Sequence, residues 1–264
     1  MSLLKDKVAI VAGVGPGLGQ ANAKALAREG ATVVLAARTL ANLETTQAEI
    51  EAEGGTAICV PTNLADRASA DALVARTVDT FGRLDVLVNN AFRSSGFAPF
   101  ETADLERWKK IYDLNVWGTL NVTQAAIPHL KSAAQHHGDA SIVFILSMSM
   151  RKIRANEGDY SGSKAALHTT MQGLALELGP EKVRVNAVAP GWIGGPNVEM
   201  YLGWMAQERG VDPSVVRAER EAEIPLREIP PQDDIAHAVV FLASPWSRVI
   251  TGQTLDVNGG EFFG

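Results

Sequence analysis

Three features of this 264-residue sequence predict an α/β fold: one doubly wound parallel sheet of about seven strands with helices on both faces. Short β-branched and aliphatic runs alternate with longer helical patterns from the first residues onward, as expected of parallel strands joined by crossover helices. Several runs are apolar along nearly their whole length, as strands covered on both faces should be. No low-complexity linker or internal repeat divides the chain, so residues 1–264 read as one domain.

The first strand, 8–12 (VAIVA), runs into a glycine-rich turn, and a helical pattern follows over 18–29. Strand and helix then alternate at 32–37 and 40–53, and at 56–60 and 66–81. Strand 86–89 precedes a long helical pattern over 104–135 that contains a break. Strand 141–146 leads to helix 160–178, strand 184–189 to helix 233–243, and strand 254–257 completes the set. Between 194 and 230 the alternation fails: Pro196, Pro213, Pro225 and Pro230 punctuate a stretch too long for a plain connection. It reads as an irregular substrate loop or lid.

Composition narrows the class. A hydrophobic fraction of 46% with 20% charged residues belongs to a folded domain rather than a disordered or fibrous chain. Thirty acidic residues against 24 basic ones give a net charge of -6, which disfavours nucleic acid as a partner. Cys59 is the single cysteine, which rules out an intramolecular disulfide and fits a reducing cytoplasm; between Ile58 and Val60 it reads as packing. The start of the chain shows neither a cleavage site nor a spanning apolar run, so neither export nor a membrane anchor is expected. The five histidines lack ligand spacing, and no metal is expected.

Two local patterns carry chemistry. In AGVGPGLG, Gly13, Gly17 and Gly19 stand between a strand and a helix, where they let backbone N–H groups approach a pyrophosphate at the positive helix end. A purely structural turn would also use glycine here. Where an acidic residue would grip a ribose 2′-hydroxyl, the second strand ends in Ala37 and Arg38; an arginine suits a 2′-phosphate, so NADP is favoured with NAD possible. The alternative is a solvated Arg38.

The second pattern is YSGSK. Tyr160 and Lys164 fall one helical turn apart on one face, and the ammonium is expected to favour the phenolate by direct attraction, making the phenol an acid/base. Alone this spacing is common. Here it follows the strand whose end carries Ser147, in the region where ligands sit in open α/β sheets, so Ser147 is placed to hydrogen-bond a substrate oxygen, with Ser149 a weaker candidate.

Taken in order, the glycine turn, Asn89-Asn90-Ala91, Asn115 in DLNVWG, Ser147, Tyr160 with Lys164, and Pro190-Gly191 make the chain resemble the short-chain dehydrogenase/reductase family over nearly its whole length. The resemblance implies a Rossmann-like fold and hydride transfer at a nicotinamide while Tyr160 exchanges a proton with the substrate oxygen. It gives Lys164 a second role on the nicotinamide ribose and makes Asn115 the keeper of a helix kink and proton path. It extends the cofactor contacts to Leu18, Asn63, Leu64, Asn89, Asn90, Ala91, Pro190, Gly191 and Ile193, and implies a homotetramer. Four residues depart from the family pattern: Ala12 for a hydroxyl residue, Asn63 for an Asp, Phe92 for a glycine, and Gly195 for a Thr.

For the substrate, Trp192, Met200, Tyr201, Leu202, Trp204 and Met205 suit a hydrophobic or cyclic molecule, or else the buried side of a lid helix or a subunit contact. Arg151, Lys152 and Arg154, with Arg107, Lys109 and Lys110, form either a solvated run or a landing patch for an acidic partner. The expected activity is therefore interconversion of a small secondary alcohol and ketone. A 3-oxoacyl-carrier-protein reductase and a non-catalytic dinucleotide sensor are the alternatives.

Overall fold

The computed structural model describes residues 2–94, 96 and 98–264. Its seven strands are β1 (Val8–Ala12), β2 (Thr32–Ala37), β3 (Thr56–Pro61), β4 (Val86–Asn89), β5 (Ala140–Ile145), β6 (Val183–Pro190) and β7 (Thr254–Val257). All pair in parallel, in the order β3-β2-β1-β4-β5-β6-β7. The helices among the described residues are α1 (Leu18–Arg28), α2 (Leu40–Ala52), α3 (Arg67–Phe81), α4 (Leu105–Tyr112), α5 (Thr119–His137), α6 (Gly158–Leu178), α7 (Pro196–Arg209), α8 (Pro213–Glu223) and α9 (Gln232–Ala243).

Apolar residues along the strands feed two separate cores because successive side chains point to opposite faces. Ile142 and Phe144 of β5 join Val8 and Ile10 in the core that receives Leu167 and Met171 of α6. Val143 and Ile145 join Ala9 and Val11 in the other, against Leu26 of α1 and Ile235 of α9. This two-sided burial is why the strands read as continuous apolar runs. The strand order reverses between β1 and β4, and such a reversal opens a crevice at the carboxyl ends of the strands. The turns after β1, β4, β5 and β6 all reach that edge.

Two expectations change in detail. The stretch 194–230 is largely helical, because Pro196 and Pro213 occupy the first turns of α7 and α8, where a missing N–H is harmless. Asp212 caps α8 by accepting the Ser214 N–H at 2.9 Å, and Leu202, Ala206, Val216, Ile224 and Ile229 form a small core of their own. The break expected within 104–135 is a π-helical segment, Asp113–Gly118. Among the described residues, no helix is long and apolar enough to cross a membrane, and no group of side chains is arranged to hold a metal.

Candidate active site

At the carboxyl edge of the sheet lies a cavity of about 550 Å³, floored at one end by the glycine turn and closed at the other by α6 and α7. Gly13 adopts φ 109°, and a Cβ there would stand 2.4 Å from the Ala91 backbone nitrogen. At Gly19 a Cβ would meet the Gly13 carbonyl oxygen at 2.4 Å, and Gly17 has φ 116°. Asn90 fastens the turn by donating from Nδ2 to the Gly13 carbonyl at 2.7 Å, and Asn22 donates to Asn90 at 3.2 Å. After Ala12 the turn is held by backbone bonds: the N–H groups of Gly13 and Val14 both donate to Ala36 O, at 2.7 and 3.0 Å. Such a tight, side-chain-free turn ahead of α1 fits a pyrophosphate.

Farther along, the wall consists of Ala37, Arg38, Thr39, Asn42, Thr62 and Leu64. The Arg38 side chain is exposed and makes no hydrogen bond or ion pair with a described residue. Leu18, Asn90, Ala91, Pro190, Gly191 and Ile193 also face the cavity, as the sequence suggested. Asn63 and Asn89 do not. The Asn63 N–H donates to Ser69 Oγ at 3.0 Å with its side chain exposed, and Asn89 Nδ2 donates to Thr123 Oγ1 at 2.9 Å behind the wall. Gln232, at the start of α9, lines the cavity next to Gly17 and Gly195; nothing local in the sequence marks it, since its position depends on how α9 packs.

At the deep end, Ser147 leaves β5 in an extended conformation and Tyr160 and Lys164 project from α6. The Ser147 hydroxyl accepts from the Ser149 N–H at 3.2 Å and the Ser149 hydroxyl at 2.9 Å, and is hydrogen-bonded with the Tyr160 phenol. Lys164 is 2% exposed; its Nζ donates to Ile145 O at 2.7 Å and stands 5.7 Å from the Tyr160 ring centroid. The two groups are brought together as the spacing implied, but the expected lowering of the phenol pKa does not follow from the protein's own groups. Burial dominates and pushes Tyr160 up to about 12, with the Ser147 hydrogen bond opposing and the Glu157 charge reinforcing. Burial also pulls Lys164 down to about 7, so its ammonium is itself weakened as a source of positive potential.

Asn115 sits in the π-helical segment rather than on the cavity wall. Its Nδ2 donates to Arg93 O at 2.9 Å and Ser163 Oγ at 3.0 Å, while its Oδ1 accepts the Arg93 N–H at 2.7 Å. Ser163 Oγ in turn donates to Tyr160 O at 2.7 Å, so Asn115 ties the irregular segment following β4 to the first turns of α6. Beside it, the Phe92 ring meets Tyr160 edge-on at 6.1 Å between centroids and lies 5.9 Å from Lys164 Nζ. The departure from glycine thus lays a ring against both groups.

The lid cluster divides between its two readings. Trp192 and Tyr201, 5.4 Å apart, face the cavity; Leu202 is buried in the α7–α8 core with Met205 against it; Met200 and Trp204 are exposed. The basic run is not a free patch. Arg151 pairs with Asp256, and Lys152 and Arg154 reach the fully enclosed Glu261 carboxylate at 2.9 and 3.3 Å. Glu157, also on the wall, escaped the sequence reading, although its place three residues before Tyr160 could have marked it.

Residues 13–261 match the family described as Enoyl-(Acyl carrier protein) reductase. An oxidoreductase of Methylorubrum extorquens is 39% identical over 98% of this chain and 99% of its own. L-rhamnose 1-dehydrogenase (NAD(P)(+)) of Azotobacter vinelandii is 38% identical, covering 98% of both chains. Among solved structures, the 3-ketoacyl-(acyl-carrier-protein) reductase of Brucella melitensis complexed with NADH superposes with a TM-score of 0.86 at 31% identity, over 98% of this chain and 99% of that one.

Proposed function

The chain belongs to the short-chain dehydrogenase/reductase family, whose members bind a nicotinamide dinucleotide, and from that premise we propose that it interconverts a secondary alcohol and a ketone on a hydrophobic or cyclic small molecule. The observation that carries this reading is the convergence of the Ser147 hydroxyl, the Tyr160 phenol and the Lys164 amine at the deep end of a cavity whose other end is a glycine turn. The dehydrogenase and reductase names of the relatives support it. A sensor without turnover has no use for that convergence.

The nicotinamide supplies the acceptor or donor of the hydride. In the reduction direction, the neutral Tyr160 phenol gives its proton to the substrate oxygen and Ser147 hydrogen-bonds that same oxygen. In oxidation Tyr160 takes the proton back. Lys164, held by Ile145 O, binds the nicotinamide ribose, and Asn115 positions the start of α6. Gly13, Gly17 and Gly19 hold the pyrophosphate, with Leu18, Leu64, Asn90, Ala91, Pro190, Gly191 and Ile193 along the rest of the dinucleotide. NADP is the preferred cofactor, since Arg38 stands exposed on the wall with no hydrogen bond or ion pair to a described residue and the end of β2 carries no carboxylate to repel a 2′-phosphate. The helices α7 and α8 form the lid. A small free substrate is favoured over a carrier-linked one because Asp256 and Glu261 already neutralise the basic run at the cavity mouth. Assembly as a homotetramer belongs to the same reading, supported by Trp117 and Leu176, 60% and 81% exposed.

The test is parallel fluorescence titration with NADPH and NADH, followed by a ketone panel with the tighter cofactor. Tighter NADPH binding, weakened by Arg38→Ala, is expected. Tyr160→Phe is expected to retain cofactor binding and lose about 10²- to 10⁴-fold in turnover. Unchanged turnover in that variant overturns the mechanism, and tighter NADH binding overturns the role of Arg38.

A further inference from the structure

One charged group on the cavity wall has no part in proton or hydride transfer. Glu157 lies immediately before the first residue of α6 and three before Tyr160, a spacing that sets neighbouring side chains on one side of a helix start. It is half-buried, and its carboxylate makes no hydrogen bond or ion pair with a described residue. Glu261, a few residues from the chain's end, shows the contrast: fully enclosed, it is matched by Lys152 and Arg154. Burial raises the pKa of Glu157, with the Arg154 charge opposing and the Asp159 charge reinforcing, as expected of a carboxylate drawn partly out of water with no hydrogen bond from a described residue. Such a group facing a cavity lacks only hydrogen-bond donors.

The surroundings narrow what can supply them. Phe92, Trp192 and Tyr201 line the same cavity, so the ligand must offer an apolar face as well as donors. An anionic ligand would be repelled by the carboxylate. A cationic one would meet Arg154, whose guanidinium is within electrostatic reach of Glu157 and stacks over Trp192 at 4.7 Å. A neutral ring with a C–H face and a hydroxyl edge satisfies all of these groups together.

We propose that Glu157 determines specificity at this site by accepting a hydrogen bond from a hydroxyl near the reacting carbon, so that the substrate is a neutral cyclic polyol or sugar rather than a simple alcohol. The proposal rests on the alcohol/ketone reading above and deepens it. The site then has a division of labour: Ser147 and Tyr160 take the reacting oxygen, the aromatic wall takes the ring, and Glu157 takes the neighbouring hydroxyl.

The experiment compares kcat/KM for pentoses, hexoses and cyclic vicinal diols with that for the matching deoxy compounds, using NADP⁺ and NAD⁺, in the wild type, Glu157→Gln and Glu157→Ala. The ratio within each pair cancels any effect of the Glu157 charge on Tyr160, which acts on both members. The wild type is expected to prefer the hydroxylated member. Loss of a charge-assisted hydrogen bond is expected to lower the ratio about 10- to 100-fold in Glu157→Ala, chiefly through KM, and less in Glu157→Gln, whose amide oxygen still accepts. NADPH titration of each variant confirms that the cofactor end is intact. A wild type indifferent to the hydroxyl, or a ratio unmoved in both variants, overturns the proposal and leaves the alcohol/ketone reading standing. A wild type that turns over no alcohol or ketone in any pair removes that reading and this proposal with it.

Discussion

Replacing Lys164 by Met tests whether the enclosed amine behaves as the structure requires. Its pKa falls from the ordinary 10.5 to about 7 through burial, a displacement equivalent to roughly 5 kcal/mol. Between those two values the folded chain has released the proton while the unfolded chain still holds it. Unfolding therefore takes up a proton, and stability rises with pH across the window by about 1.4 kcal/mol per pH unit. Below about pH 7 both states are protonated and the whole burial penalty stands. Methionine removes the titration, and the Ile145 carbonyl it leaves without the Lys164 donor, now bonded at 2.7 Å, adds a cost that does not vary with pH. Tyr160 acts in the opposite sense but only above pH 10, where its folded pKa of about 12 makes stability fall. Urea denaturation of both proteins from about pH 7 to pH 9 isolates the lysine. Over that interval, whose lower end is the folded pKa itself and so has half the full slope, the wild type is expected to gain about 2 kcal/mol relative to Lys164→Met. Parallel stability profiles would mean that the amine keeps its proton in the folded chain, and the account of the site's electrostatics would fail.

Other perturbations probe the supports of the site. Asn115→Ala removes three hydrogen bonds, two to the part-buried Arg93 backbone and one to Ser163; at about 0.5–1.5 kcal/mol per bond the loss is about 2–4 kcal/mol, read as a melting point lower by about 4–15 °C. Gly13→Ala forces a side chain into φ 109° and onto the Ala91 backbone, so a stability loss of about 1–3 kcal/mol or more and abolished NADPH fluorescence enhancement are expected. Normal NADPH binding by that variant would separate the turn from the cofactor. Phe92→Gly removes the ring lying against Tyr160 and admits water, so the phenol's ionisation, followed by ultraviolet difference titration against the Tyr160→Phe protein, moves below about 12 toward 10. An unmoved titration would show that other groups desolvate the phenol.

What could be read from the sequence alone was what depends on local pattern. Two-sided burial writes itself as continuous apolar runs, so β1 and β5 were visible as parallel strands before their neighbours were known. A turn that must pass within contact distance of other backbone has to be glycine, and a four-residue spacing on a helix sets Tyr160 over Lys164 in any context. Prolines were ambiguous for the same reason: Pro196 and Pro213 punctuate an irregular loop or open a helix depending on caps and on a core, Leu202 with Val216, formed by residues distant in sequence. Tertiary structure alone decided the sign of the Tyr160 shift, because spacing sets how near a charge lies but only packing sets how much water remains around it. It decided likewise that Arg151, Lys152 and Arg154 are matched by Asp256 and Glu261, about a hundred residues away, while Glu157 faces the cavity with no hydrogen bond or ion pair to a described residue. Charge balance across such separations is a property of which surfaces the fold brings together, and no local pattern in the sequence records it.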